Sequence, residues 1–213
     1  MNNKKKEIFV IIDGSSYLYR AFYALPHLKN NIGSHTGAIF GVTSMINKLI
    51  NDLSPKYICA VFDAPGKNFR HRLYKEYKSN RKSMPQELSE QVEPIFNFLK
   101  YMGIKIIQQS DVEADDVIAS LVYKHSSKTK TLISSGDKDL AQLVDKNVQL
   151  INSLDGKQLN QNDVKKKFGV APNQIKDYLT LVGDASDNIP GVPKIGPKTA
   201  AVSYTHLRAH ETD

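Results

Sequence analysis

Short apolar runs rich in β-branched residues alternate along the chain with longer segments in which apolar residues recur every three or four positions. The short runs predict buried strands, and the longer segments predict amphipathic helices. The strands are predicted over residues 7–12, 56–62, 104–108, 131–134 and 148–152, and the helices over residues 15–24, 36–53, 86–101, 114–125 and 139–144. This alternation predicts an α/β fold with a mostly parallel central sheet flanked by helices.

The pattern changes near residue 160, after which only helices and turns are predicted, including a helix over residues 172–182. We therefore expect an α/β core over residues 1–160 and a helical region over residues 161–201. Residues 202–213 do not continue the apolar spacing of a further helix, and we interpret them as a non-native tail that looks like translated adapter or vector sequence. A divergent natural end of the chain is the alternative.

The excess of positive charge is concentrated in one segment. The chain carries a net charge of +7, from 29 basic and 22 acidic residues. Seven basic residues and one acid, Glu76, fall within residues 67–82, where they are interleaved with aromatic residues. Such a block is typical of a surface that binds a polyanion. A solvated basic loop would have the same composition, so charge alone leaves both interpretations open.

The rest of the composition excludes several classes of protein. The chain has 213 residues, which is long enough for a sizeable core, and it has one cysteine. Cys59 lies in an apolar run, so we expect it in the core, and a single cysteine excludes an internal disulfide framework or a Cys-based zinc site. No apolar run approaches the roughly 18 residues of a membrane span, and residues 8–12 are too short for a signal peptide.

Carboxylates follow the ends of four predicted strands. The acids are Asp13, Asp63, the group Glu113, Asp115 and Asp116, and the pair Asp137 and Asp139. Because ligands bind at the carboxyl edge of an open α/β sheet, we expect these side chains in one crevice. Like charges this close require compensation, and oxygen ligands without His or Cys favour Mg²⁺ or Mn²⁺ over zinc. The sequence therefore predicts a site for two divalent cations.

The acids that follow the first three of these strands also have a structural interpretation. The Glu113 group could complement the N-terminus of a helix, and Asp13 and Asp63 could form turns. The coincidence at four strand ends favours the metal site. A later pair, Asp184 and Asp187, is spaced to lie on one side of a helical turn. A helix cap or an Asx turn before Pro190 competes with a metal-binding role for that pair.

The segment GVPKIGPKTA, residues 191–200, has the features of a phosphate-binding turn. Its glycines permit a tight turn and close backbone approach, and its second proline suits the first turn of a helix. Free N–H groups at such a helix start can hold a phosphate, so the segment resembles elements that grip a DNA backbone without reading its sequence. The candidate DNA contacts are Gly191, Lys194, Gly196, Lys198 and Thr199.

The order of these blocks resembles a known family. The blocks are Asp13, Asp63, EADD (113–116), SGDKD (135–139) and GDASDNIPGVPKIGPKTA (183–200), and the resemblance runs from about residue 8 to residue 201. This order of blocks is similar to the order in the structure-specific 5′-nucleases, the family that includes the 5′→3′ exonuclease domain of bacterial DNA polymerase I. The resemblance implies a PIN-like fold with a helical arch over residues 67–85 and a C-terminal helix–three-turn–helix appendage, here apparently truncated.

The resemblance also implies a role for each acid. One metal ion would be held by the acids that follow the first three strands, and the second ion would be served by the remaining acids. The first set is Asp13, Asp63, Glu113 and Asp115, with Asp116 nearby in support. The second set is Asp137, Asp139, Asp184 and Asp187, acting partly through water.

The basic segment would contact the DNA. By resemblance, Lys78 and Arg81 in YKSNR would be the catalytic residues that face the scissile phosphate, and the glycine-rich turn would recruit K⁺. The arch would pass a 5′ single strand, with DNA contacts from Arg70, Arg72, Lys75 and Tyr77. Four aromatic residues could stack on an unpaired base, although packing into the core explains Phe22 equally well. These residues are Tyr17, Phe22, Tyr23 and Tyr77.

The function implied is a Mg²⁺- or Mn²⁺-dependent 5′→3′ exonuclease and 5′-flap endonuclease of DNA replication and repair. Its partner would be DNA with a 5′ flap, nick or single-strand/duplex junction. We expect a monomer in the bacterial cytoplasm, associated with the nucleoid, without the polymerase domain that full-length relatives carry.

The main alternative is a structure-specific DNA-binding module whose catalysis is impaired by C-terminal truncation. A metal-dependent RNA nuclease of the PIN type is disfavoured by the basic arch and the glycine-rich turn. A Rossmann nucleotide-binding protein is disfavoured because no G-x-G-x-x-G follows the first strand.

Overall fold

A six-stranded sheet forms the centre of the protein, and a computed structural model describes the chain over residues 6–153 and 155–207. The strands are β1 (Ile8–Asp13), β2 (Tyr57–Val61), β3 (Lys105–Ile107), β4 (Lys130–Ser134), β5 (Val148–Ile151) and β6 (Gln158–Leu159). They lie in the order β3-β2-β1-β4-β5-β6, and all neighbours are parallel except β5 and β6. The predicted mostly parallel central sheet is confirmed.

Helices cover both faces of this sheet. They are α1 (Gly14–Ala24), α2 (Gly37–Leu53), α3 (Phe69–Leu73), α4 (Gln86–Tyr101), α5 (Ala114–His125), α6 (Gln161–Phe168), α7 (Ile175–Val182) and α8 (Pro197–Leu207), with short 3₁₀ helices at Asp139–Leu143 and Pro172–Gln174. Helices α1, α2 and α4 pack on one face, and α5 to α8 pack on the other. Within the described ranges, no helix is long and apolar enough to cross a membrane.

The central strand β1 shows how the sequence builds two cores. Val10 and Ile12 are fully buried in the core formed with α1, α2 and α4, whereas Ile11 is fully buried in the core on the opposite face. Successive side chains of a strand point to opposite faces, so a continuous apolar run fills both layers. Cys59 on β2 is buried in the second core, as expected.

The basic segment departs from the expected helical arch. Its only helix within the described residues is the five-residue α3, which starts after the N-cap Asn68. At Tyr74 the backbone is extended, with φ −137° and ψ 107°, and turns and irregular chain continue to Pro85. Residues 74–85 are mainly polar and lack the apolar spacing that holds a helix against a core, which accounts for the short helix.

The C-terminal region contains short strands that the sequence pattern did not predict. Strands β7 (Gly183–Asp184) and β8 (Ile189–Pro190) form an antiparallel ribbon, so the region after residue 160 is not made of helices and turns alone. Two-residue strands are too short for a hydrophobic period to be seen. The helix predicted over residues 172–182 is divided into the second 3₁₀ helix and α7.

Candidate active site

Eight of the nine acids predicted to hold metal ions line one cleft, of about 450 Å³, at the carboxyl edge of the sheet. They are Asp13, Asp63, Glu113, Asp115, Asp137, Asp139, Asp184 and Asp187. Lys78 and Arg81 line the same cleft, as does Lys138, which the sequence analysis did not single out. Strands β2 and β4 lie parallel to β1 on either side of it, so the carboxyl ends of the three strands bring these distant residues together.

Asp13 and Asp63 connect strand ends to helix starts. Asp13 ends β1 and caps α1, since its Oδ1 accepts a hydrogen bond of 3.0 Å from the backbone N–H of Ser16. Its Oδ2 accepts a 2.6 Å hydrogen bond from the hydroxyl of Ser135. Asp63 Oδ1 accepts a 2.9 Å hydrogen bond from the N–H of Ala114 at the start of α5. A local structural role for these two acids and their place in the cleft are therefore compatible.

Glu113 is the N-cap of α5, and three side chains hydrogen-bond to its carboxylate. Its Oε1 accepts hydrogen bonds of 2.6 Å from Lys78 Nζ and 2.8 Å from Asn68 Nδ2, and its Oε2 lies 2.9 Å from the hydroxyl of Tyr77. The pKa of Glu113 is lowered. Its burial is the largest single influence and raises the pKa, but the hydrogen bonds from Lys78, Tyr77 and Asn68 and the positive charge of Lys78 together outweigh it. Glu113 is thus held ionised.

Asp116 is the acid that the structure does not place in the cleft. Its Oδ2 accepts a 3.0 Å hydrogen bond from the backbone N–H of Glu113, which closes a capping box at the start of α5. Both of its oxygens also accept hydrogen bonds from the guanidinium of Arg70, at 2.6 and 2.8 Å. The helix-cap interpretation accounts for Asp116, so its predicted part in metal binding is at most indirect support.

Three acids in the cleft have raised pKa values. Burial, with the negative charge of neighbouring carboxylates, raises the pKa of Asp115 to about 8 and that of Asp139 to about 6. Burial also raises the pKa of Asp13 to about 6, although its hydrogen bonds from Ser135 and Ser16 oppose the shift. Asp139 Oδ1 is buried and accepts no hydrogen bond from any described residue. The positive charge near these carboxylates is therefore too small to offset their burial and mutual repulsion.

Side-chain cations occupy other parts of the cleft. Lys78 Nζ lies 3.7 Å from Asp187 Oδ2 in addition to its contact with Glu113, and Arg81 forms an ion pair with Asp187. Lys138 Nζ lies 3.1 Å from Asp184 Oδ2. Among the described residues, no group of three acidic, histidine or cysteine side chains stands close enough to hold a metal ion. The oxygen-only donor set, with the unpartnered Asp139, nevertheless fits a hard divalent cation such as Mg²⁺ or Mn²⁺.

The basic segment folds onto the acidic edge of the sheet, where several of its basic side chains pair with carboxylates. Besides the pair between Arg70 and Asp116, Arg72 forms two hydrogen bonds with Asp111, of 2.6 and 2.7 Å. Arg70 and Arg72 were predicted to contact DNA, but here both guanidinium groups are used in ion pairs. Lys75 is exposed, as a DNA contact requires.

The predicted base-stacking residues separate into buried and exposed groups. Tyr17 is 1% exposed and its hydroxyl lies 2.7 Å from Ser134 Oγ, and Tyr77 is 5% exposed. The prediction that these two rings stack on a base is therefore wrong in this structure, because both are enclosed by protein. Phe22 packs against the first core, whereas Tyr23 is 66% exposed.

The loop that carries Asp184 and Asp187 is a turn between β7 and β8, not the helical turn that their spacing suggested. Asp184 Oδ1 accepts hydrogen bonds from Ser186, at 2.8 Å from the backbone N–H and 2.6 Å from the hydroxyl. This is the Asx-turn geometry of the alternative interpretation. Because both acids also line the cleft, the turn and the site coexist.

The glycine-rich turn links β8 to α8, whose first residue is Pro197. A Cβ atom at Gly191 would lie 2.3 Å from the carbonyl oxygen of Val182, so the close approach that this glycine permits is to the protein's own backbone. At Gly196 nothing lies within 4 Å of such an atom. The predicted DNA contacts Lys194, Lys198 and Thr199 are all exposed around this turn.

Models of known protein families match nearly the whole chain. Residues 8–169 match the model for the "5'-3' exonuclease, N-terminal resolvase-like domain", and residues 170–208 match the "5'-3' exonuclease, C-terminal SAM fold". The chain belongs to the 5′–3′ exonuclease family. The second match reaches into the segment predicted to be non-native, and residues 208–213 of that segment lie outside the described residues.

The curated relatives of the chain include both 5′–3′ exonucleases and the much longer DNA polymerases I. The chain is 48% identical over 192 residues to DNA polymerase I of Pseudomonas aeruginosa, covering 90% of this chain and 21% of that protein. It is 47% identical over 191 residues to the 5′–3′ exonuclease of Aquifex aeolicus, covering 89% of this chain and 66% of that protein. The chain thus spans about a fifth of the polymerase and just under two thirds of the exonuclease.

The fold is shared with solved nucleases. The bacteriophage T5 D15 flap endonuclease, in a complex with DNA and metal ions, matches with a TM-score of 0.74 and 22% identity, covering 94% of this chain and 75% of that one. Such a likeness shows the fold. None of these matches supports the alternative of a module impaired by truncation.

Proposed function

We propose that this protein is a divalent-metal-dependent 5′→3′ exonuclease and 5′-flap endonuclease that hydrolyses DNA phosphodiester bonds. The observation that carries the proposal is the single cleft in which eight carboxylates meet Lys78 and Arg81. Family membership and the DNA and metal ions bound by the T5 relative support it. Mg²⁺ or Mn²⁺ is the proposed cofactor, because all the candidate ligands are carboxylate oxygens.

The carboxylates of the cleft would hold two ions in two groups. Asp13, Asp63, Glu113 and Asp115 form the group around β1, β2 and α5, and Asp137, Asp139, Asp184 and Asp187 form the group around β4 and the β7–β8 ribbon. When bound, two such ions activate a water molecule and stabilise the leaving oxygen of an in-line displacement. Asp115 and Asp139, which carry raised pKa values here, would have to lose their protons to act as ligands.

Lys78 and Arg81 would supply the positive charge on the phosphate side of the cleft. Both side chains now contact Glu113 or Asp187, so they already face the position where a phosphate would meet the carboxylates. There they would offset the negative charge that develops on the phosphate oxygens during cleavage. This is an electrostatic role and requires no proton transfer from either residue.

A groove of about 750 Å³ adjoins the cleft and would receive the 5′ single strand. It shares Asp63, Lys78, Arg81 and Glu113 with the cleft, so a strand lying in it would pass the carboxylates. Its walls combine basic side chains with aromatic or apolar ones, a combination that suits single-stranded nucleic acid. The residues concerned are Lys67, Lys100, Phe62, Met84 and Phe96.

The exposed turn before α8 would hold the duplex through its backbone. Lys194, Lys198 and Thr199 would contact phosphates, and free N–H groups at the start of α8 would add to this site, where K⁺ would also be recruited. Such a substrate, with a 5′ flap, nick or junction, would be met during DNA replication and repair in the bacterial cytoplasm.

Cleavage of a fluorescent 5′-flap duplex by the whole chain tests the proposal. We expect cleavage that depends on Mg²⁺ or Mn²⁺ and is abolished by EDTA and by Asp139→Ala. Asp52→Asn is the control, because Asp52 is an exposed acid near the end of α2, outside the cleft. Cleavage in EDTA, or full activity of the Asp139→Ala variant, would reject the proposed function.

A further inference from the structure

Two loops from distant parts of the sequence are tied together beside the cleft. The first, the basic turn, comprises residues 76–81 and contains Lys78 and Arg81. The second, the acidic loop, comprises residues 184–188 between β7 and β8. The backbone N–H of Lys78 donates a 2.9 Å hydrogen bond to the carbonyl oxygen of Asp187, which joins the two main chains directly. Arg81 Nε donates a 3.2 Å hydrogen bond to the carbonyl oxygen of Ser186.

Two asparagine side chains complete the junction, one from each loop. Asn188 Nδ2 donates a 2.8 Å hydrogen bond to the carbonyl oxygen of Glu76 and lies 2.9 Å from Ser79 Oγ. In the opposite direction, Asn80 Nδ2 donates a 2.8 Å hydrogen bond to the carbonyl oxygen of Ala185. The contacts are reciprocal, so each loop supplies an amide that binds the backbone of the other.

The backbone at this junction is held in an unfavourable conformation. Lys78 has a φ of 55° and Asn188 a φ of 57°, both in the left-handed region. Asparagine tolerates that region, whereas for lysine it costs roughly 1–2 kcal/mol. Such a conformation persists only where surrounding contacts impose it, and it is often found at functional sites. Here the contacts that impose it are those of the junction.

The conformation of the basic turn determines where its two cations lie. Lys78 Nζ lies 2.6 Å from Glu113, and Arg81 is paired with Asp187, so both charges project into the cleft. We propose that Asn188 and Asn80 are positioning residues that lock the basic turn onto the acidic loop and thereby fix Lys78 against the phosphate. The inference rests on the proposed function, in which Lys78 faces the scissile phosphate.

A purely structural role for the asparagines would have a different outcome. If they only stabilised the fold, their loss would lower the melting temperature and reduce activity independently of Lys78. If they act through Lys78, their loss should matter little once Lys78 is removed. A double-mutant cycle separates the two roles, because effects on one shared interaction are not additive.

The variants are chosen to remove the amides without adding backbone strain. Asn188→Gly removes the side chain and keeps the positive φ accessible, whereas alanine would add strain there. Asn80→Ala removes an exposed side chain. Asn162→Ala is the matched control, since Asn162 is an exposed asparagine in the first turn of α6. Circular dichroism and thermal melting establish that each variant folds.

The kinetic test uses single-turnover cleavage and steady-state kinetics on the 5′-flap duplex. We expect Asn188→Gly to lower kcat about tenfold to hundredfold, since small misplacements of catalytic groups have effects of this size, with KM changed less than about threefold. In the Lys78→Ala background, Asn188→Gly should change kcat by less than about twofold. Wild-type kcat in Asn188→Gly, or the full loss repeated in the Lys78→Ala background, would overturn the inference.

Hydrogen exchange of the chain without DNA or metal provides a readout that does not depend on activity. The amide of Lys78 should exchange at least about tenfold faster in Asn188→Gly than in the wild type or in Asn162→Ala, because its hydrogen bond to Asp187 depends on the junction. An unchanged exchange rate of the Lys78 amide would contradict the proposed role of Asn188 in holding the basic turn. Absence of flap cleavage by the wild-type chain would instead reject the proposed function, and the exchange result would then decide on the junction alone.

Discussion

The ammonium group of Lys78 lies 2.6 Å from Glu113 Oε1, inside the cleft that is proposed to bind divalent cations. Both side chains are largely enclosed, at 17% and 10% exposure, so their attraction is less screened than that of a surface pair. A metal ion at Glu113 would meet the positive charge of Lys78 at close range. In the absence of DNA, Lys78 and the proposed metal ions would therefore compete for the same carboxylate.

Replacing Lys78 by methionine should separate metal binding from catalysis. We expect Lys78→Met to bind Mn²⁺ about threefold to tenfold more tightly than the wild type, because roughly 1 kcal/mol of charge repulsion is removed. Flap cleavage should fall, because the charge that faces the phosphate is lost. Mn²⁺ titration by calorimetry and single-turnover cleavage measure the two effects. Weaker Mn²⁺ binding by Lys78→Met would contradict the competition.

The raised pKa values predict how the stability of the metal-free protein depends on pH. An acid whose pKa is higher in the folded than in the unfolded state favours folding at low pH, and this contribution is lost as pH rises through the folded value. For Asp13, Asp115 and Asp139 that window extends from the ordinary value of 3.8 up to about 8. The melting temperature in EDTA should therefore fall between about pH 5 and about pH 8.

Metal ions should reverse this loss, and the reversal can be traced to one residue. Mg²⁺ should stabilise the protein more at about pH 8 than at about pH 5, because binding to the folded state is coupled to the loss of these protons. Asp115→Asn should flatten the pH dependence in EDTA, whereas Asp52→Asn should leave it unchanged. The acids with lowered pKa values, such as Glu113 and Asp184, stabilise the folded state fully above their ordinary pKa and lose this contribution only at lower pH, so they do not change the melting temperature within this window. Equal melting temperatures across the range in EDTA would show that the carboxylates are compensated in another way.

Alanine should destabilise the protein at one glycine of the turn before α8 and have almost no effect at the other. Gly191→Ala places a Cβ 2.3 Å from a carbonyl oxygen and 2.7 Å from a backbone nitrogen, so it should destabilise the β7–β8 ribbon by about 2 kcal/mol or more. Gly196→Ala meets nothing within 4 Å and should change stability by less than about 0.5 kcal/mol. Urea denaturation of the two variants gives the comparison. A stable Gly191→Ala variant would show that the ribbon can shift without cost.

The sequence was most informative where local pattern and chemistry coincide. The apolar run before Asp13 identified β1, and the rule that parallel strands bring their carboxyl ends to one edge placed Asp13 at that edge. The same reasoning placed Asp63 and the acids after β3 and β4. Each of these residues is adjacent in sequence to a strand long enough to show its hydrophobic pattern, so the prediction required no knowledge of tertiary contacts.

The contacts between the basic turn and the acids could not be predicted in the same way. Arg70, Lys78 and Arg81 pair with carboxylates that are far away in sequence, and nothing in the local pattern says that the turn folds back onto the sheet edge. An aromatic residue within a basic block resembles a base-stacking residue, so Tyr77 was assigned to DNA. Its burial is a tertiary property, which only the docked position of the turn reveals.

The burial of Tyr77 leads to a prediction that distinguishes its hydroxyl from its ring. The hydroxyl lies 2.9 Å from Glu113 Oε2 and 3.0 Å from Asp187 Oδ2, so one proton bridges carboxylates of both proposed metal groups. Burial and the two negative charges raise the pKa of Tyr77, so the hydroxyl remains a donor across the working pH range. Tyr77→Phe keeps the ring and removes only this donor.

If Tyr77 acted by stacking on a base, phenylalanine would replace it without loss. We expect instead that Tyr77→Phe lowers the free energy of unfolding by about 1–3 kcal/mol, since it leaves buried carboxylate oxygens without a donor. Flap cleavage should fall as well, because Glu113 and Asp187 lose their common partner. Tyr23→Phe is the control, since Tyr23 is 66% exposed and should tolerate the change. Urea denaturation measures the stability of both variants, and steady-state kinetics measures their kcat and KM. If Tyr77→Phe kept full stability and full activity, the stacking interpretation would be restored.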